Sequence, residues 1–233
     1  CLLSEDAAMS TAINPEILFQ LDKQFLADQF RVKDIFELLG KALTDKIVRL
    51  LAEHGVSDQP VIRGKVSPQA ILEGAVYVAE GAEVGPFAYI QGPTFIGPGA
   101  DVRHGAFIRG SAFIGAKAVV GHTTEVKGSI FLDEAKAGHF AYVGDSILGH
   151  DVNLGAGTKL ANLKLRGNEV AVVHPTTDER IGSGLRKLGA IIGDKAQTGC
   201  NSVLSPGSIL LPNTGVLPCV HYLGTLKKGF AKT

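Results

Sequence analysis

A mainly β fold, a parallel β-helix preceded by an α-helical segment, is predicted for this 233-residue chain by three observations. Aliphatic residues recur every six positions, at Val66, Leu72, Val78, Val84, Ile90, Ile96, Val102, Ile108, Ile114, Val120, Val126 and Leu132, without a miss. Small or β-branched residues follow four positions later, at Ala70, Val76, Ala82, Ala88, Thr94, Ala100, Ala106, Ala112, Ala118 and Thr124. The chain also holds 29 glycines and no tryptophan, which calls for repeated tight corners rather than a broad aromatic core. A period of six is even, so the same strand face stays inward in every repeat. Stacking such repeats buries one continuous aliphatic column, with rungs about 4.8 Å apart.

The elements follow in order. Residues 1–60 read as an N-terminal helical segment, with Asn14-Pro15-Glu16 as a helix start: a capping side chain, a proline at the first helical position and an acid near the positive dipole end. Val32, Ile35, Phe36, Leu38, Leu39, Leu43, Ile47, Leu50 and Leu51 recur at three- and four-residue steps, Gly40 interrupts them, and Gly55 stands just past their end. This segment is expected to cap an open end of the β-helix. The β-helix is assigned to 61–220 and a C-terminal tail to 221–233. Its period breaks at 133–141 and resumes, shifted, at Tyr142, Leu148, Leu154 and Leu160. It is lost again over about 163–189, an excursion carrying Arg166, His174, Asp178, Glu179, Arg180, Arg186 and Lys187, and returns at Ile192, Thr198, Leu204, Leu210 and Val216. Excursions from a solenoid map to loops on one face, often the binding face.

Composition excludes several classes. Lys+Arg and Asp+Glu both number 23, so no clustered basic excess points to nucleic acid. Cys1, Cys200 and Cys219 are too few and scattered for a disulfide framework or a metal knuckle, and a reduced, cytoplasmic setting is expected. No apolar run reaches membrane-spanning length, and the start lacks signal-peptide character. The opening Cys1 in place of Met reads as an incomplete or engineered terminus.

An aliphatic interior offers no catalytic groups, so chemistry belongs where the repeat breaks. Lys136-Ala137-Gly138-His139-Phe140-Ala141-Tyr142-Val143-Gly144-Asp145 is the richest run, followed by Asn153-Leu154-Gly155-Ala156-Gly157-Thr158 and Asn162. On pattern alone His139 is equally a general base near neutral pH and a surface histidine held by a backbone bond. These segments, with Glu125-Val126-Lys127, resemble the acetyltransferase half of N-acetylglucosamine-1-phosphate uridyltransferases. They resemble still more the short single-domain sugar-phosphate nucleotidyltransferase-like proteins, which carry runs similar to Gly121-His122-Thr123-Thr124-Glu125-Val126-Lys127 and Gly184-Leu185-Arg186-Lys187-Leu188-Gly189-Ala190-Ile191-Ile192-Gly193-Asp194.

The resemblance covers about Val66 to Val216 and implies a left-handed β-helix forming a homotrimer, with sites between subunits. It implies acetyl transfer from acetyl-CoA to an amino-sugar phosphate such as glucosamine-1-phosphate, without a metal, nucleic-acid or membrane partner. By it, His139 is the catalytic base and Asn162 supports the acceptor amine. Arg109, Lys127, Tyr142 and Asn153 bind sugar and phosphate, and Ala156, Cys200 and Pro218 line the acetyl-CoA cleft.

Departures from the pattern follow Asn162, where the family's Tyr-Asp-Gly turn and lysine give way to Leu163-Lys164-Leu165-Arg166-Gly167, so that Lys164 or Arg166 would replace the lysine. Lys227, Lys228 and Lys232 stand where a basic tail would complete the CoA site. No uridyltransferase domain or glycine-rich nucleotide loop is present, so pyrophosphorylase activity is not expected. The alternatives are a non-catalytic trimeric sugar-phosphate-binding protein and an acyltransferase with another acyl donor or acceptor. Zinc held by His104, His122, His139 and His150 does not follow the known spacing of β-helix zinc enzymes. Cys200 lacks a nucleophile's neighbours and reads as a small buried residue.

Overall fold

The computed structural model describes residues 12–232, so Cys1 and the rest of the first eleven positions lie outside it. From Val61 onward the chain forms the expected β-helix. Three parallel sheets of nine, nine and eight strands share the strands in rotation. We call the first face the sheet that starts with Val61–Ile62, the second face the one that starts with Lys65–Val66, and the third the one that starts with Ile71–Glu73. The repeat explains this directly. Val78, Val84, Ile90, Ile96, Val102, Ile108, Ile114, Val120 and Val126 all point inward and form one buried column, with Ala82, Ala88, Ala100, Ala106, Ala112 and Ala118 filling the corners.

The column does not break at 133–141. Lys136–His139 is an ordinary strand of the second face, paired with Val119–His122 on one side and Asn153–Leu154 on the other. What changes is the step. The inward residue after Val126 is Phe131, not Leu132, and the series continues through Ala137, Val143 and Leu148. Two five-residue steps, Val126 to Phe131 and Val143 to Leu148, replace the single ten-residue interruption. Tyr142 is therefore outward and half-buried, while Leu132 belongs to a second cluster outside the column.

That second cluster corrects the expected place of the N-terminal segment, which lies along the first face and caps no end. Strands of this face are apolar on both sides: Tyr77, Phe95, Phe113, Ile130, Ile147, Ile191 and Ile209 are in register on the outside. Ile13, Leu18, Phe19, Leu21, Phe30, Ile35, Leu38, Leu39 and Leu43 pack onto them. Phe30 meets Phe113 edge-on at 4.9 Å, and Phe95 stacks on Phe113 at 5.6 Å. A sheet covered on both faces reads as a continuous apolar run, and these strands do.

Asn14 caps as expected, accepting from the Glu16 N–H, but opens only a short 3-10 turn at Pro15–Ile17. Gly40, at φ +59°, divides the later pattern into a 3-10 turn Ile35–Leu38 and the α-helix Gly40–Glu53. Asp34 and Glu37 form a capping box there. Two carboxylates fasten the segment to the β-helix corners. Asp133 accepts from Phe25 N (2.6 Å) and Ala116 N (2.9 Å), and Asp194 from Gln20 N and His150 N (both 2.8 Å). Burial pushes the Asp194 carboxyl above its usual range, against the pull of those two N–H donors.

The excursion folds onto the same first face. Ala171–Val173 and Arg180–Gly182 pair as an antiparallel hairpin, and Val170, Val172, Ile181 and Leu188 join the second cluster. His174 is buried in its turn, where Nδ1 accepts from Thr176 N and Thr177 N (both 3.2 Å). Much of the excursion is thus packing, not a binding loop. Phe95→Ala is expected to lower stability by about 3–5 kcal/mol, since it empties the seat of the N-terminal segment. Chemical denaturation would measure this, and hydrogen exchange would show faster exchange in residues 13–56 than in the strands of the second face.

Candidate functional site

With the first face covered, the second and third faces and the corner between them remain open. Coil-to-coil bonds hold that corner straight: Thr123 N to His104 O (3.3 Å), Phe140 N to His122 O (2.9 Å), Gly157 N to His139 O (3.1 Å), Asn201 N to Ala156 O (2.8 Å) and Cys219 N to Cys200 O (2.9 Å). His104, His122, His139, Ala156, Cys200 and Pro218 consequently occupy one corner position on successive coils. Three imidazoles stand on the N-terminal side and three small or compact residues on the other.

Beside this corner lies a groove of about 340 Å³ lined by Arg103, Lys136, Gly138, His139, Asn153, Gly155, Ala156 and Cys200. It thus gathers His139, Asn153, Ala156 and Cys200, four of the residues expected to act together, and Pro218 continues the same column one coil on. Cys200 is exposed, not buried as expected, and so is Cys219. Glycine is required in this wall: a Cβ on Gly121 would stand 1.8 Å from the Gly138 carbonyl oxygen, so only glycine lets the two histidine-bearing coils approach. The flanking cations are paired, Arg103 with Asp101 (2.7 Å) and Lys136 with Asp151 (2.9 Å). Lys136 holds the Asp151 carboxyl below its ordinary range.

His104, His122 and His139 form a ladder. The first two rings stack in parallel, 5.3 Å apart at 5°, and the third meets His122 edge-on at 5.2 Å. His122 Nε2 lies 3.1 Å from His139 Nδ1. They are spread along the axis and do not converge on a point, and His150 sits at a different corner with Nδ1 3.0 Å from the Asp133 carbonyl. Among the described residues no three His, Cys, Asp or Glu side chains are grouped to hold a metal ion.

Arg109, Lys127, Tyr142 and Asn162 form a separate cluster, on the third face and its far corner. Arg109 and Lys127 end their strands of the third face and Asn162 follows the end of another, away from the His139 corner, whereas Tyr142 begins its strand three residues after His139. Two carboxylates that the sequence pattern does not single out, Glu125 and Asp145, organise it. Glu125 accepts from Arg109 (2.7 Å), and the buried Asp145 accepts from Lys127 (3.0 Å) and from Asn162 Nδ2. Tyr142 donates to Asn162 Oδ1 (3.4 Å), and burial keeps its phenol protonated by raising its pKa. Neither Lys164 nor Arg166 joins them: Lys164 donates to the Glu169 carbonyl (2.6 Å) and Arg166 is exposed. Of the tail lysines, Lys227 pairs with Asp178 of the excursion (2.7 Å). Lys232 follows Ala231, which pairs with Val216, and so stands on the last coil of the second face, outside the lining of the groove.

Fold and site together define a parallel β-helix protein with a histidine-lined corner groove. Residues 90–216 match the family described as the GMPPB C-terminal domain, more than half of the chain, and the chain belongs to that family. It is 47% identical over 76 residues to a bifunctional sugar-1-phosphate nucleotidylyltransferase/acetyltransferase of Sulfurisphaera tokodaii, covering 33% of this chain and 18% of that protein. It is 39% identical over 146 residues to the bifunctional protein GlmU of Methanococcus aeolicus, covering 63% of this chain and 35% of the relative. The matched region thus spans about a fifth to a third of these relatives. Among solved structures, the acetyltransferase domain of PglB from Neisseria gonorrhoeae is 14% identical with a TM-score of 0.27, over 78% of this chain and 64% of that one. The Arabidopsis UDP-N-acetylglucosamine acyltransferase is 13% identical with a TM-score of 0.35, over 70% and 64%. Among the described residues no helix is long and apolar enough to cross a membrane.

Charge balance in the Arg109 cluster is testable. Each cation already faces a carboxylate, so a free phosphate meets no net positive charge. Glu125→Gln is expected to tighten binding of inorganic phosphate roughly fivefold, about 1 kcal/mol for one exposed charge. Titration calorimetry would measure it, and unchanged affinity would detach Arg109 from anion binding.

Proposed function

We propose that the protein is an acyltransferase that moves an acetyl group from acetyl-CoA to the amine of an amino-sugar phosphate such as glucosamine-1-phosphate, with His139 as general base. The observation that carries this reading is the corner column itself. His139 opens onto a groove with Asn153, Ala156 and Cys200, and Pro218 follows at the same corner position one coil on. An extended, thiol-bearing cosubstrate fits along such a corner, and Lys232 on the last coil suits a phosphate.

When bound, acetyl-CoA would supply the thioester carbonyl. His139 Nδ1 is engaged by His122, which leaves Nε2 for the groove. Nε2 takes the proton from the attacking amine as the new C–N bond forms. The C–S bond then breaks, and the same proton passes from Nε2 to the departing thiolate. Asn153, exposed beside the groove, offers amide and carbonyl groups to sugar hydroxyls.

The Arg109, Lys127, Tyr142 and Asn162 cluster lies on the third face, outside the lining of the His139 groove. We assign it to a site shared between copies, in which one subunit's cluster faces its neighbour's His139 groove in a homotrimer. The protein's own ion pairs give that cluster fixed geometry before substrate arrives, with Asp145 holding Lys127 and Asn162 at once.

A thiol-release assay with acetyl-CoA and a panel of amino-sugar phosphates tests the reading. His139→Ala is expected to lower kcat at least a hundredfold, within the range for loss of a general base. Measurable sugar-phosphate binding without turnover by the wild type on any acceptor would sink the enzyme reading and favour a binding protein. Mass measurement in solution tests the trimer, and a monomeric, active species would overturn the shared site.

A further inference from the structure

We infer that His122 and Thr123 are positioning residues that set the tautomer of His139, through a chain of hydrogen bonds ending on a backbone carbonyl. The inference rests on the reading of His139 as the base. Its geometry is the His139 Nδ1–His122 Nε2 contact of 3.1 Å, the His122 Nδ1–Thr123 Oγ1 contact of 3.3 Å and the Thr123 Oγ1–His122 O contact of 2.8 Å.

The carbonyl fixes the direction of the protons. A carbonyl oxygen only accepts, so the Thr123 hydroxyl donates to it. The hydroxyl hydrogen is then spent, and Thr123 Oγ1 meets His122 Nδ1 as an acceptor, so that ring carries its proton on Nδ1. His122 Nε2 is left with a lone pair and accepts from His139 Nδ1–H. His139 in turn has its lone pair on Nε2, the nitrogen a base in the groove must use. The reversed order would set lone pairs against each other at Thr123 or strip the hydroxyl from its carbonyl. After proton uptake the His139 ring still donates through Nδ1, so the same contact serves the imidazolium.

A second observation is independent of these bonds. Thr123 sits at φ +50°, and it is the one β-branched residue with a left-handed backbone among the described residues. Gly105 and Gly157 occupy the equivalent corner position on other coils, at +65° and +72°. Glycine adopts this conformation without strain and threonine does not. Phe87, Phe140, Asn201 and Cys219 take the same left-handed conformation at this corner of other coils, so the corner sets the backbone, and of these residues Thr123 alone supplies a hydroxyl there. The conformation turns the hydroxyl back onto the ring and carbonyl of His122. The parallel stacking of His104 on His122 holds that ring from the other side.

Two measurements test the inference, one of which needs no turnover. Heteronuclear NMR of isotope-labelled histidine rings should show His139 with its proton on Nδ1 in the wild type, and a mixture of tautomers in Thr123→Gly. In the thiol-release assay, His122→Phe and Thr123→Gly should lower kcat by about ten- to a hundredfold, the range for removing a partner that orients a histidine, with KM nearly unchanged. His122→Gln and Thr123→Ser, which keep an acceptor and a hydroxyl, should retain kcat within a few-fold. Thr123→Gly should melt no lower than the wild type, because the substitution relieves the backbone. His139 protonated on Nε2 in the wild type, or full kcat in Thr123→Gly, would overturn the inference. Should no acceptor turn over with the wild type, acyl transfer fails as a reading and the tautomer result alone decides this one.

Discussion

Everything in this molecule depends on the stacking of one coil on the next through parallel backbone hydrogen bonds. Each strand pairs with the equivalent strand of the coil before and after, so position in the coil becomes position along the axis. Inward residues join a single aliphatic column for that reason, and buried corner hydroxyls find backbone partners; Ser129, for example, donates to the Lys127 carbonyl (2.8 Å). Among the described residues no buried side-chain polar atom lacks a partner. An unpaired polar atom in so dry an interior would be costly, and repetition would multiply the cost.

The same stacking decides which faces are free. Outer residues of the first face are aromatic or aliphatic on nearly every coil, which draws the N-terminal segment and the hairpin at Ala171–Gly182 onto it. Asp133 and Asp194 then fasten the backbone of the segment to the corners at defined coils. What remains open is polar, and the candidate site falls at the corner between the two uncovered faces. A covering segment on one face thus places the chemistry on the opposite edge without touching it.

Much of this was legible in the chain. The six-residue period announced the β-helix, and of the residues named with the His139 motif, Asn153, Ala156 and Cys200 line one groove with it, while Arg109, Lys127, Tyr142 and Asn162 stand apart. Phe131 was hidden because Ile130-Phe131-Leu132 is apolar throughout, so a five-residue step to Phe131 looks like a six-residue step to Leu132. The seat of the N-terminal segment was signalled by an unread eighteen-residue period, Tyr77, Phe95 and Phe113, in which one face of every coil is apolar outside as well as inside. Glu125 and Asp145 were missed for a different reason. Their partners Arg109 and Lys127 are sixteen and eighteen residues away, a distance at which pairing is visible only once the coil length is known.

Coil length also explains how side chains beside a groove on so regular a scaffold acquire a fixed order. An exposed corner histidine has no core to pack against, and the aliphatic interior beneath it supplies no polar group. Its orientation must come from the equivalent position one coil away, and His122 stands seventeen residues before His139, where the shortened coil places it. The carboxylate of Asp145 acts in the same manner on the next face, reaching back one coil to Lys127 and forward one to Asn162. In this fold a supporting shell is a neighbouring repeat. The residues that orient a functional side chain are therefore sought about one coil before and after it, and the histidine column and the Asp145 clamp both obey that rule.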